Sequence, residues 1–136
     1  CRLWNVANGT ELRIFRGATA GIMRVDFSPD GHCFATSGYD RINRIWHGFS
    51  GSCLKEFRGT SVAEDHTFGV RSLAYSPDGT VIACGLVNNS NNAKIGLIDV
   101  KTGEVVRNFD MIPDVGLPAH LAFRPQLPTE VTSSIS

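Results

Sequence analysis

No stretch of this chain approaches the roughly 20 consecutive apolar residues that a bilayer-crossing helix requires, so no membrane partner is expected. Excess charge is absent too: thirteen Lys and Arg residues face thirteen Asp and Glu residues. That balance gives no electrostatic reason for a nucleic acid as a direct partner. There is no charged and apolar leader at the start. The chain opens on Cys1-Arg2-Leu3-Trp4, already in a strand-like pattern, so further sequence is expected upstream. Four cysteines are present (Cys1, Cys33, Cys53 and Cys84), no two closer than 20 positions. A zinc knuckle or a redox CxxC needs a much tighter pair. Each cysteine falls in a predicted strand and is expected to be a buried free thiol, the state favoured in a reducing, intracellular and cytoplasmic setting.

Catalytic signatures are equally scarce. His32, His47, His66 and His120 stand in no HxxxH or HExxH relation. No serine occupies a GxSxG elbow, and no glycine run resembles a phosphate-binding loop. Glu64-Asp65 reads as a solvated loop pair. Nothing here makes a positive case for an enzyme, a metal or a cofactor, and none is expected.

What the chain does carry is repetition. Phe27-Ser28-Pro29-Asp30-Gly31 recurs as Tyr75-Ser76-Pro77-Asp78-Gly79, 48 residues later, and a worn copy, Phe123-Arg124-Pro125, follows after another 48. In step with it runs a second series, Gly9 to Phe15, Gly51 to Phe57 and Gly103 to Phe109. A third comprises Arg2-Leu3-Trp4, Arg44-Ile45-Trp46 and Gly96-Leu97-Ile98. Markers keeping one order over three copies identify a repeat architecture.

Within each unit the local chemistry is that of short antiparallel strands. Asp30-Gly31 and Asp78-Gly79 are turn dipeptides, each preceded by a proline that fixes φ at the first corner. Asn8-Gly9, Ser50-Gly51 and Thr102-Gly103 supply the next set of turns. Between them lie segments rich in Ile, Val, Leu, Phe and Thr, with no helical period. The pattern predicts strands at 1–5 and 11–16; at 21–27, 33–38, 42–47 and 53–58; at 69–75, 81–86, 94–99 and 104–109; and at 117–123 and 130–134. The fold class is all-β. Two insertions lengthen the second unit, Thr60 to Asp65 and Asn88 to Asn92, and both read as tolerated rim loops. Asn8-Gly9-Thr10 and Asn88-Asn89-Ser90 match the glycosylation acceptor pattern and read as chance matches in Asn-rich turns.

Across nearly its whole length the chain resembles the WD40-repeat family of β-propellers. The segment Ile22 to Trp46 carries the likeness best, with Phe34-Ala35-Thr36-Ser37-Gly38-Tyr39-Asp40 followed by Trp46 six residues on. The resemblance implies about three blades' worth of four-stranded sheets. These are the last two strands of a blade in 1–16, a full blade in 17–58, a second in 59–109 and the first two strands of another in 110–136. It also implies a buried hydrogen-bond chain in each blade linking Trp, a hydroxyl, His and Asp, and donor-only indole with acceptor-only carboxylate suits that order. Thr36, Asp40 and Trp46 take three of these positions in the first blade, where Ala18 stands at the His position. His66 takes the His position in the second, where Cys84, Asn92 and Ile98 replace the others. Asp40, lacking a His partner, is expected to be held by backbone N–H groups of its own turn.

In function the resemblance implies a non-catalytic protein-interaction scaffold. Its partner-binding face would carry Tyr39 and Phe68, aromatics of the kind that anchor interfaces, although both could instead pack between blades. Two other readings stay open: a purely structural part of a large assembly, such as an RNA–protein particle, and a segment of a propeller enzyme. Closed propellers have about four to eight blades, so three leave sheet faces uncovered. Either a longer chain supplies further blades, or copies join head to tail, with residues 117–134 of one completing a blade with residues 1–16 of the next.

Overall fold

A computed structural model describes residues 1–58, 72–87, 93–110, 118–124 and 131–135. Among these, every regular element is a β-strand. β1 (Arg2–Trp4) and β2 (Glu11–Ile14) form a hairpin. β3 (Ile22–Phe27), β4 (Cys33–Gly38), β5 (Ile42–His47) and β6 (Cys53–Arg58) follow as one antiparallel sheet in sequence order. β7 (Ser72–Tyr75), β8 (Val81–Val87), β9 (Ala93–Asp99) and β10 (Val105–Asp110) form a second sheet of the same layout. β11 (Pro118–Phe123) and β12 (Val131–Ile135) make a last antiparallel pair.

The repeated turns fold alike, bond for bond. Ser28 N–H donates to the Cys33 carbonyl at 2.9 Å and Gly31 N–H to the Ser28 carbonyl at 2.8 Å. In the next sheet Ser76 and Gly79 make the same two bonds, to Val81 and Ser76, at 2.9 Å each. Both serine hydroxyls donate to the aspartate two residues on, at 2.6 Å. Gly31 and Gly79 close the turns at φ 72° and 71°, a region that disfavours any side chain. The other turn series agrees as well. Gly9, Gly51 and Gly103 donate to the carbonyls of Asn5, His47 and Asp99 at 2.8, 2.9 and 2.8 Å. The side chain at the head of each of these turns accepts a backbone N–H: Asn5 from Ala7, His47 Nδ1 from Ser50 and Asp99 from Thr102.

Strand alternation then sorts side chains onto two faces. Phe34 and Trp46 leave the first sheet on one side and meet Phe15 of the first hairpin. The Phe15 and Phe34 rings are edge-on with centroids 4.7 Å apart, and Leu3 packs beside them. Ala35, Ile45 and Phe57 leave on the other side, against Leu73, Tyr75, Ile82, Cys84 and Ile98. A third apolar layer joins Ala74 and Ala83 to Leu121, with Ile95, Leu97 and Phe123 alongside. Each large side chain so buried contributes roughly 1.5–3 kcal/mol of transfer free energy. Asp26 adds a polar clamp across the second layer: its Oδ2 accepts the N–H of Tyr75 at 2.8 Å.

The cysteines depart from expectation. Cys84 is buried, but Cys33 is half-buried and both Cys1 and Cys53 are exposed. Cys1 precedes β1, and Cys53 opens β6, the outermost strand of its sheet. Equivalent aromatics differ for a related reason. Trp46 is 2% exposed and Trp4 50%; Phe57 is 9% exposed and Phe109 41%. The buried member of each pair faces a neighbouring sheet. Trp4 and Phe109 are left more open; the Phe109 ring has the Arg107 guanidinium over it, 5.8 Å from the ring centroid.

Candidate interaction face and its buried ion pair

The β4–β5 turn carries Tyr39 and Asp40, and its backbone is closely determined. Gly38 lies so near the Gly21 carbonyl that a Cβ there would collide with it. Tyr39 N–H donates to that same carbonyl at 2.9 Å, and Arg41, at φ 63°, donates to the Gly38 carbonyl at 3.1 Å. One edge of the Tyr39 ring packs over Gly21. The rest of the side chain is open to solvent, and the residue is 56% exposed.

Asp40, beside it, turns inward. Its Oδ1 accepts the N–H of Ile42, in its own turn, at 3.2 Å. Its Oδ2 accepts two further bonds, from Thr19 N–H at 3.2 Å and from the Arg44 guanidinium at 2.6 Å. Burial pushes the Asp40 carboxyl up. The bonds from Arg44, Thr19 and Ile42, with the Arg44 charge, outweigh it and hold the carboxyl below the usual range. Burial likewise works against the Arg44 charge, but the bonds to Asp40 and Glu56 reverse the balance and keep the guanidinium protonated. Glu56 accepts from Arg44 Nε at 2.7 Å and is itself half-exposed.

Thr36 and Trp46 are joined separately. The indole N–H donates to the Thr36 hydroxyl at 2.9 Å, with both groups buried. Cross-strand pairing sets Thr36 opposite Arg44 and Phe34 opposite Trp46. The four strand residues therefore share a face, yet among the described residues no hydrogen bond joins Thr36 to Asp40. In place of one relay there are two bonded groups, Trp46 with Thr36 and Arg44 with Asp40 and Thr19. Ala18 offers no imidazole, and the backbone N–H of the next residue with the guanidinium of Arg44 satisfies the carboxylate. Arg44 is the residue that sequence reasoning missed. The signal was available: Trp46 points inward, and a residue two positions away on a strand points the same way. His66 and Phe68 lie outside the described residues, as do the two insertions.

No helix among the described residues is long and apolar enough to cross a membrane. Nor do three His, Cys, Asp or Glu side chains gather among them as a metal would need.

Four-stranded antiparallel sheets stacked face to face, each closed by the same turns, define a segment of a β-propeller: two complete blades flanked by two half-blades. The WD domain, G-beta repeat model matches residues 9–47, and the Anaphase-promoting complex subunit 4 WD40 domain model matches residues 59–123. The chain belongs to the WD40-repeat family. Over 77 residues it is 32% identical to Eukaryotic translation initiation factor 3 subunit I of Coccidioides immitis, covering 57% of this chain and 21% of that protein. Over 87 residues it is 32% identical to Protein groucho of Drosophila melanogaster, covering 64% of this chain and 11% of that one. Two solved structures share the fold at 21% identity over 89% of this chain. A crystal structure of RRP9 WD40 repeats matches with a TM-score of 0.73 over 34% of its own chain, and a structure of U3-55K with 0.74 over 35%. The chain thus spans about a fifth or less of these curated relatives and about a third of these solved chains.

Proposed function

We propose that the chain is a non-catalytic protein-interaction scaffold, one segment of a larger intracellular propeller or assembly, with Tyr39 as a partner-binding anchor. The exposure of Tyr39 on a fully bonded turn carries this reading. Tyrosine combines apolar area with a polar tip and is enriched among interface anchors. A rigid support reduces the ordering cost of binding. Phe68 is the second candidate from the sequence. The neutral charge balance favours proteins over nucleic acid as direct partners. One relative, by its name, is a subunit of a larger factor.

The half-blades and the exposed Trp4 and Phe109 support further blades on either side, from a longer chain or from a second copy joined head to tail. Native mass measurement tests this: a chain far heavier than 14.8 kDa supports the first route and a stable dimer the second. A folded 14.8 kDa monomer overturns both. For the interaction face, a photo-crosslinking residue at position 39 identifies contacting proteins in the native cell. Tyr39→Ala then weakens their binding by about tenfold or more, roughly 1.4 kcal/mol, with the melting temperature unchanged. Unaltered affinity for every crosslinked protein overturns the assignment.

A further inference from the structure

At the opposite end of the strands from Tyr39, a cavity of about 330 Å³ opens between the two four-stranded sheets. That volume lies at the lower end of the range for ligand pockets. The two Ser-Pro-Asp-Gly turns flank it and touch, for a Cβ on Gly79 would lie 3.4 Å from the Pro29 ring. Its walls include Cys33, Ile45, Leu54 and Val100, and among the described residues Asp30, Asp78 and Lys55 are the charged groups lining it.

The two carboxylates are repeat equivalents and behave alike. Asp30 uses Oδ1 within its turn, accepting from Ser28 Oγ at 2.6 Å and His32 N–H at 2.9 Å. Asp78 does the same with Ser76 Oγ at 2.6 Å and Thr80 N–H at 3.0 Å, and the Thr80 hydroxyl joins at 2.9 Å. These bonds, the serine hydroxyl's foremost, hold both carboxyls below the usual range, so both are ionised at neutral pH. In each case Oδ2 has no hydrogen-bond partner among the described residues. Lys55, the one cation among the described lining residues, donates its ammonium to the Lys101 carbonyl.

Tyr75 supplies the second, independent sign. It lines the same cavity, is 7% exposed, and its hydroxyl is buried with no hydrogen-bond partner. Burial, then the neighbouring Cys33, Asp26 and Asp30, pushes the phenol up, so it is a neutral hydroxyl. A buried hydroxyl without a partner costs about 1–3 kcal/mol. It calls for a physical reason, and a polar group that enters on binding provides one.

We infer that this cavity is a second binding site, distinct from the Tyr39 face, for a basic side chain of a protein partner: a guanidinium or ammonium group on an apolar stem. The stem packs on Ile45, Leu54 and Val100. The cation is drawn by the Asp30 and Asp78 carboxylates, and the Tyr75 hydroxyl oxygen accepts one of its N–H groups.

Amide NMR of the intact chain tests this with two capped tripeptides, acetyl-Gly-Arg-Gly-amide and its citrulline counterpart, which keeps the shape and loses the charge. The arginine peptide gives saturable shifts at Cys33, Leu54 and Val100, and the citrulline peptide binds about fivefold or more weaker, close to 1 kcal/mol. Asp30→Asn with Asp78→Asn preserves the turn acceptors and weakens the arginine peptide by a similar factor. Tyr75→Phe weakens it about threefold while leaving the melting temperature unchanged or raised. Equal binding of the two peptides, undiminished binding by the double Asn variant, or no saturable shifts up to about 10 mM, where only some 2.7 kcal/mol of binding would go undetected, overturns the site. None of these outcomes bears on Tyr39, whose test is separate.

Discussion

Asp40 and Arg44, four residues apart, meet at 2.6 Å with their side chains only 4% and 3% exposed. A buried pair of this kind adds little net stability, because desolvating both ions offsets their attraction. Breaking it is another matter. Arg44→Met leaves a buried carboxylate uncompensated and is expected to cost about 3–5 kcal/mol in urea unfolding. Asp40→Asn with Arg44→Met recovers a large part of that loss. Glu56→Gln, at the solvent side of the same guanidinium, costs less than about 1 kcal/mol. Losses of Arg44→Met and Asp40→Asn alone that sum to the loss of the double variant would show that the pair is not energetically coupled.

The same carboxylate sets an acid dependence. Its pKa in the folded chain is below the unfolded value of about 3.9. The unfolded state therefore takes up the proton first as pH falls. The stabilisation is complete above the unfolded value and is lost as pH drops through the folded one. Unfolding free energies of the parent and of Asp40→Asn, compared from pH 7 to pH 3, should keep a steady gap down to about pH 5 and then converge. A gap that widens on acidification would contradict the assignment.

Much of this was legible in the chain. The repeat placed all twelve strands within a few residues, most of them through turns in which Asp-Gly after proline and Asn-Gly or its kin permit few backbone geometries, and the last pair through its correspondence with the first full unit. The apolar faces followed from alternation. What was not read was Arg44, since a family pattern directs attention to the four residue types it names, and Ala18 registered only as a gap. The exposure of Cys1 and Cys53 was missed because strand membership alone does not say whether a strand is central or outermost. The Tyr75 cavity arises between two sheets, and no local pattern encodes a space between turns 48 residues apart.

Phe57 and Phe109 occupy equivalent places at the ends of their hairpins and differ in cover. In the 136-residue chain, Phe57→Ala is expected to cost about 3–5 kcal/mol as a buried truncation. Phe109→Ala should cost under about 1 kcal/mol, the range of partly exposed sites. If a further blade or a second copy packs over Phe109, its truncation approaches the cost at Phe57 in that assembly. Thermal and urea unfolding of both variants, alone and assembled, read this directly.

Thiol reactivity provides a separate check on the interface between sheets. Burial pushes the Cys84 thiol up to about 12, so almost none is thiolate at pH 8. Iodoacetamide should label Cys1 and Cys53 in the folded chain and reach Cys84 only on unfolding, as peptide mass mapping will resolve. Rapid native labelling of Cys84 would mean that the layer it occupies opens.

Each Ser-Pro-Asp-Gly turn, finally, is wired within its own six residues. Ser28 and Asp30, like Ser76 and Asp78, complete it without help from another sheet. Closing so short a loop sacrifices little chain freedom, and hairpins of this size form within about 1–10 microseconds. Strand register is thereby decided at the corners before distant faces meet. Slow steps in folding then belong to the docking of preformed sheets, and a lesion at a corner will scramble pairing where one in an apolar layer only loosens it.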